Sequence, residues 1–560
     1  MMWTVAVTRV SSIAGKFSVL LLLCSSTYIS AHAAKQTSPK PAKESAATPV
    51  EIPLPPMGWS SWNSFSNTVD WNVVMQQAKA LVASGLKAKG YDYVNIDEGW
   101  WKGQRNQRGD ILVDPKQWPA LTSQEQPGDM ANIVRYIHSL GLKAGIYTDV
   151  GKGGCSTWWP DVGARWPGTG SEGHYDQDFR QFAAWGFDFV KVDWCGGFQE
   201  KLNPIVQYSQ IAHSIAKAEA ATGHTLRYSI CDWSVDHAWT WAPGIGDVAA
   251  DMWRTSGDIV APVVAGTSNS GRTVDFPKVL ANFTAGLHPE AQHTGYYNDP
   301  DMLVIGMPGM SESRDRVHMS LWAISGAPLL IGADVTKLNQ VAQDALTNPE
   351  AIAVDQDALG LQGVAIPQST PGLKVVAKRL HGQGHRAVVF LNTTSSPAPM
   401  SVSWSTLGLE PSATAQVEDV WRRKTSEAST SYTTTVPAND VVMVILEGVE
   451  GQPTRYAPSR QPDDRSKSTA FIGVKSQQGI HAVQIDYVNR TAQTHVVAVD
   501  VNGQVVTKMA FLSTARMKVA GSLIVELPLR SSAAGNTVAF IDSNDTGLSL
   551  QSITVLAGSL

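Results

Sequence analysis

Cysteine is scarce, with 4 in 560 residues. Cys24 falls in an N-terminal apolar run, which leaves Cys155, Cys195 and Cys231 for the body of the chain. A scaffold stapled by disulfides is therefore excluded, and the fold must rest on its own hydrophobic core. These three cysteines do not cluster in sequence as metal ligands do. An oxidising compartment permits one disulfide among them, with one thiol left over. Basic blocks are absent and the formal net charge is -5, which argues against a nucleic-acid partner. Past the N-terminal run, no stretch reaches the roughly 18 apolar residues of a transmembrane segment. There is no HExxH, and no histidine pair lies beside the acids, so no metal is expected. His381 and His385 stand in HGQGH, which reads as a turn between two strands. No GxGxxG follows the first strand candidate, and no cofactor is expected.

Other features are plentiful. Arg9 and Lys16 precede an apolar run at 17–24, and Ala31-His32-Ala33 offers a small-x-small cleavage site. Residues 1–33 thus read as a signal peptide, which implies export to the periplasm or the extracellular space. Residues 34–50, rich in Ala, Pro, Lys and Ser, read as a disordered leader. Tryptophan is abundant, 19 against 13 phenylalanines. Indoles either fill a large core or stack on the apolar C–H faces of sugar rings.

The chain is too long for one core. Over residues 51–360, strand candidates fall at 57–62, 91–97, 142–147, 187–193, 226–230, 250–253, 302–305 and 328–331. Helical spacing of apolar residues between most of them predicts a (β/α)8 TIM barrel, with an open doubly wound sheet as the alternative. Polar residues appear abruptly where the apolar strands stop. Residues 187–195 read FDFVKVDWC and end in Lys191, Asp193 and Cys195. Other strand ends deliver Trp62, Asp97, Glu98, Tyr147, Asp149, Asp232, Arg254 and Asp258, and strand seven lies beside Asp299 and Asp301. One such residue could cap a helix; so many together predict an acidic, aromatic-lined pocket at the C-terminal mouth of the barrel.

Cleaving a glycosidic bond needs a proton donor for the leaving oxygen and a carboxylate for the sugar carbon. Asp193 and Asp258 are the expected pair. Lys191, two residues before Asp193, points to the same side of a strand and would keep Asp193 ionised as a nucleophile. Asp258 follows Gly257 on a loop and would have to carry a proton near neutrality; otherwise it caps a helix over 259–263. Asp97, Glu98 and Lys191 suit sugar hydroxyls, Arg254 can fork across a hydroxyl and a carboxylate, and Trp62 can wall the pocket.

These residues resemble the retaining α-galactosidases of glycoside hydrolase family 27. The stretches that carry the resemblance are PPMGWSSWNSF from Pro55, NIDEGW from Asn95, GIYTDVG from Gly145, KVDWCG from Lys191 and WRTSGDI from Trp253. YYNDPDML from Tyr296 and APLLIGAD from Ala327 complete the set, in family order. The resemblance implies that Asp193 is the nucleophile and Asp258 the acid/base. It implies that Asp97 and Glu98 bind the hydroxyls at C4 and C6, and that Trp62, Tyr147, Cys155, Lys191, Asp232 and Arg254 take part in ring binding. It also implies a Cys155–Cys195 disulfide, with Cys231 free.

One departure bears on substrate. The family's second strand commonly ends Asp-Asp-Cys-Trp, whereas this chain has Asp97-Glu98-Gly99-Trp100. The added methylene falls where the C6 hydroxymethyl of galactose is expected. β-L-Arabinopyranose is D-galactose without that group, and the substitution resembles the pattern of β-L-arabinopyranosidases. A longer acid would disfavour the hexose by about 1–3 kcal/mol; a small backbone shift that still admits galactose is the alternative. Asp232-Trp233, where some relatives have Glu-Trp, is a second departure.

Residues 361–447 break into short alternating stretches and predict an antiparallel β-domain. Residues 448–468 read as a linker. Over 469–560, VVAVDVNG from Val496 and VELPLRSSAAGNTVAFIDS from Val525 resemble a carbohydrate-binding β-sandwich, with a stabilising or adhesion domain as the alternative. The chain as a whole reads as an exo-acting retaining glycosidase. Its partners would be oligo- or polysaccharides with terminal galactose or L-arabinopyranose. A strict α-galactosidase and an inactive sugar-binding protein on a decayed barrel are the alternatives.

Overall fold

The barrel strands are short because each needs only a few apolar residues to cross a core covered on both faces. They are β1 (Met57–Ser60), β2 (Tyr93–Ile96), β3 (Lys143–Asp149), β4 (Phe189–Asp193), β5 (Arg227–Cys231), β6 (Met252–Arg254), β7 (Tyr297–Asp299) and β8 (Leu329–Ile331). The computed structural model describes residues 53–158, 169–245, 250–260, 273–459, 468–491, 494–514, 521–541 and 547–558. The expected signal peptide and leader lie outside them.

The eight strands run parallel in the order β7-β6-β5-β4-β3-β2-β1-β8. A parallel bridge between Leu303 and Ile331 joins the two ends of the sheet. Helices cover the outside, with polar residues marking their starts. Asp70 accepts from Val73 N at 2.8 Å to cap Trp71–Ala83, and Asn203 accepts from Val206 N at 3.1 Å before Pro204–Thr222. Register then fixes the mouth. It pairs Asp149 with Asp193, Asp193 with Cys231, and Arg254 with Asp299, so neighbouring strands end level in polar residues.

Strand seven departs from expectation. Residues 302–305 are buried and apolar, yet only Leu303 pairs with a neighbour; the strand is the preceding Tyr297–Asp299. Apolarity there reports core packing, and backbone pairing falls on a less apolar segment.

Beyond the barrel, six strands form one antiparallel sheet and Ala398–Ser403 pairs with Ser431–Val436 in a second. The HGQGH stretch is the turn between Leu373–Arg379 and His385–Asn392, with Gly382 and Gly384 at φ of 103° and 76°. Lys424–Ser429 was not legible as a strand; it is almost wholly exposed and held by pairing to Thr414–Asp419.

Two four-stranded sheets follow, enclosing a separate core that includes Phe471, Val483, Leu523, Val525, Leu527 and Phe540. The stretch expected as a linker contributes to this sandwich, because Thr454–Tyr456 pairs with Leu548–Val555. In the same stretch, Glu450 accepts from Arg379 and from Arg386 at 2.8 Å each. Both guanidinium groups are buried. Glu450→Gln should lower stability by about 3–5 kcal/mol, since two buried cations would lose their counter-charge. A guanidinium denaturation midpoint unchanged from wild type would contradict this.

Candidate active site

Asp97 follows β2 and is fixed from three sides. Its backbone N donates to Ser61 Oγ at 2.9 Å, its Oδ1 accepts from Glu98 N at 2.8 Å, and its Oδ2 accepts from Lys191 Nζ at 2.9 Å. Lys191 Nζ stands 4.0 Å from Asp193 Oδ2 and over the Tyr147 ring. The lysine therefore pairs chiefly with Asp97, not with Asp193 as the two-residue spacing suggested. Asp193 is buried, and its Oδ1 accepts from Trp194 N at 2.9 Å. Burial pushes its carboxyl up to about 6, against the downward pull of Lys191. The lysine acts with the expected sign, but desolvation outweighs it.

Cys155 and Cys195 form a disulfide. Its Cys155 sulfur lies 3.6 Å from Asp193 Oδ2 and accepts from Tyr147 OH at 3.7 Å. Cys231 is a free, buried thiol. Asp149 closes the turns behind this edge: its Oδ1 accepts from Gly151 N at 2.7 Å and Gly196 N at 3.0 Å.

On the far side, Arg254 forks across two carboxylates. It lies 3.2 Å from Asp258 Oδ1 and 3.2 Å from Asp301 Oδ1, and donates to Cys231 Sγ at 3.5 Å. Asp301 Oδ2 also accepts from Ile259 N at 2.7 Å, which pins the residue after Asp258. Asp301 holds φ of 92°, a conformation that persists in a non-glycine residue only when its surroundings impose it. Asp258 is half-buried, whereas Asp193 and Arg254 are buried. One carboxylate thus lies deep in the mouth and the other at its rim. Asp232 is buried too, with its carboxyl raised to about 8 by desolvation and Oδ2 unpartnered.

The mouth therefore gathers Asp97, Tyr147, Lys191, Arg254 and Asp301 around a cavity of ≈ 30 Å³ that Cys231 also lines. Trp62 joins Tyr93, Phe189, Tyr297 and Leu330 in an apolar cluster of the barrel interior. Several other indoles, among them Trp59, Trp100, Trp101, Trp253 and Trp322, are fully buried core residues. Asp301 stands beside strand seven in the sequence, with no partner that spacing reveals. Its NDPD context was the available signal, but the bond to Arg254 is visible only in three dimensions.

A family model described as alpha galactosidase A matches residues 54–357, and one described as alpha galactosidase C-terminal beta sandwich domain matches residues 370–446. The α-galactosidase A of Cellvibrio japonicus (strain Ueda107) is 34% identical over 403 residues, covering 70% of this chain and 91% of that protein. The chain belongs to glycoside hydrolase family 27, the α-galactosidase family. Among solved structures, α-galactosidase I from Mortierella vinacea matches with a TM-score of 0.60 at 29% identity, covering 71% of this chain and 97% of that one. A family-27 β-L-arabinopyranosidase from Geobacillus stearothermophilus shares the fold, with a TM-score of 0.58 at 20% identity and coverage of 71% and 97%. Among the described residues of this family-27 hydrolase, no helix is long and apolar enough to cross a membrane.

Glu98 is where the site of this hydrolase is least ordinary. Both its oxygens lie 3.0 Å from Ser156 N, which donates to them. The reach needs glycines around it: a Cβ on Gly154 would fall 2.4 Å from Glu98 Oε1. Gly99 has φ of 113°, and a Cβ there would lie 2.5 Å from Asn67 O, so a cysteine could not take this backbone. Burial pushes the Glu98 carboxyl up to about 8, against the bonds from Ser156, with Asp193 and Asp97 adding repulsion.

A carboxyl raised in the folded state favours folding below its unfolded value of 4.5, and that contribution is lost as pH rises through about 8. Glu98→Gln keeps the shape of the neutral acid and removes the titration. The Tm of the variant relative to wild type should therefore climb between about pH 5 and pH 8. A gap independent of pH would show that Glu98 does not titrate in this range.

Proposed function

We propose that the protein is a retaining exo-glycosidase that releases terminal β-L-arabinopyranosyl residues and the structurally similar α-D-galactopyranosyl residues from oligo- or polysaccharides. The supporting observation is the pair of acids at different depths, Asp193 buried beside Lys191 and Asp258 at the rim on Arg254.

Asp193 attacks the anomeric carbon as the leaving oxygen takes a proton from Asp258, and a covalent glycosyl-enzyme forms. Its depth keeps it from bulk water, while the rim position gives Asp258 access both to the leaving group and to the incoming water. Asp258 then accepts a proton from that water, which attacks the same carbon and restores the original anomeric configuration. Arg254, held by Asp301, orients Asp258. Asp97 and Lys191 form a neutral pair that can exchange hydrogen bonds with ring hydroxyls at little electrostatic cost. The unpartnered oxygen on buried Asp232 supports its assignment to ring binding as well.

Preference for the pentose rests on Glu98. Its extra methylene carries the carboxyl to Ser156 N, close enough to Asp193 for the two charges to repel. A pocket that discriminates by one hydroxymethyl separates substrates by about 1–3 kcal/mol. A second reading, a strict α-galactosidase, is favoured by the names that the relatives carry. Rates on aryl β-L-arabinopyranoside and aryl α-D-galactopyranoside separate the two. The pentose should be faster by about 5- to 100-fold, and Glu98→Asp should move the ratio toward galactose. A galactose preference untouched by the substitution leaves the strict α-galactosidase.

Asp193 must be ionised to attack, and its carboxyl is raised to about 6. The kcat/KM profile should fall about tenfold per pH unit below that value. Asp193→Asn should abolish turnover yet still bind free sugar by calorimetry. Retained turnover in this variant would remove Asp193 from the mechanism.

A further inference from the structure

The C-terminal sandwich is docked on the barrel at two separate places. Near β7, His293 bridges to Val525, and Ile524 N donates to Thr294 Oγ1 at 3.0 Å. The second contact falls on the connection between β5 and β6. Lys508 Nζ donates to Gly244 O at 3.2 Å. Val496 and Lys508 press so closely that a Cβ on Gly244 would lie 2.3 Å from Val496 Cγ1 and 2.8 Å from Lys508 Cδ. Ala510, from the same hairpin, belongs to the hydrophobic core of the barrel.

The β5–β6 connection is unusual for this fold. Among its described residues there is no α-helix, only the 3-10 turns Ala238–Thr240 and Ala242–Gly244. It starts at Asp232, and Trp233, Ser234, Asp236 and His237 have φ of 54°, 75°, 52° and 57°. L-residues avoid that region, so such a run persists only when the surroundings hold it. Contacts within the connection and with its neighbours hold it. Trp239 stacks on His288 with ring centroids 3.8 Å apart. Trp241 Nε1 donates to Asp236 O at 3.1 Å, and Gly244 N donates to Trp241 O at 3.0 Å. The Trp241 ring stacks on Tyr208, which stacks on Trp194, the neighbour of Asp193. Gly244 is thus the joint where the sandwich meets a strained loop whose rings lead back to the acids.

We infer that Val496 and Lys508 are positioning residues for the active site: the C-terminal sandwich braces the β5–β6 connection and so fixes Asp232 and, through the stacked Trp241, Tyr208 and Trp194, Asp193. This inference rests on the proposed chemistry at Asp193. It gives the sandwich a task that a sugar-binding module on a flexible tether could not perform.

The test uses the full chain. The double variant Val496→Ser/Lys508→Met removes the brace. Lys508→Arg keeps a donor for Gly244 O. Thr294→Val weakens docking at the other contact and serves as the control for loosened docking. Hydrogen exchange over 233–245 and kcat/KM are both read. The double variant should exchange faster in this segment and lose kcat/KM by about tenfold. Lys508→Arg should recover most of that loss, and Thr294→Val should stay within about twofold of wild type in kcat/KM. A double variant with wild-type exchange over 233–245 would overturn the inference, as would a Thr294→Val variant that loses as much activity as the double. Exchange needs no substrate, so its result stands even if the wild type turns over neither glycoside and the proposed function fails instead.

Discussion

Lys191 and Arg254 carry the positive charge that lets a crowd of acids exist inside the barrel mouth. Each buried carboxylate loses hydration, and most of those around Asp193 have carboxyls raised by burial. Lys191 opposes that rise at Asp193, which the proposed chemistry needs ionised, and Arg254 opposes it at Asp301. Lys191 is shared between Asp97 and Asp193, and Arg254 between Asp258 and Asp301. Glu98, Asp149 and Asp232, which have no ion pair among the described residues, rely on backbone N–H donors. The site therefore divides into acids held by side-chain cations and acids held by peptide groups. The proposed catalytic pair belongs to the first class.

That division depends on parallel register. Level strand ends put Asp149, Asp193 and Cys231 in one row and Arg254 beside Asp299. A slip of one residue would turn these side chains from the mouth to the helices. The disulfide and the Asp149 bonds then tie the loops after β3 and β4 together behind Asp193. Glu98 fits this frame only because its neighbours gave way. Gly99 adopts a backbone closed to cysteine, and Gly154 leaves room for the longer acid.

The segments after the barrel are packed against it rather than strung behind it. Glu450 neutralises two buried arginines in a stretch that composition alone marks as linker. The sandwich shares core residues with the barrel and touches the loop that begins at Asp232.

The barrel was legible because its strands are apolar and its loops begin with polar residues at fixed places. FDFVKVDWC shows both features in nine residues. The acids, Lys191 and Arg254 were legible for the same reason, since local spacing places a side chain on a given strand end; the family was legible from the resemblance of whole stretches such as KVDWCG and WRTSGDI. Partner choice was not. The sequence puts Lys191 two residues from Asp193, and the fold gives it first to Asp97, which follows β2, two strands away across the barrel mouth. Residues 302–305 look like a strand because burial and pairing produce the same apolar signature. Thr454–Tyr456 and Lys424–Ser429 look like loops because exposed strands need only backbone partners. Sequence by itself determined which chemical groups reach the mouth. Tertiary structure decided which of them are desolvated, which cation each meets, and which distant strand presses on Gly244, because those depend on contacts between residues far apart in the chain.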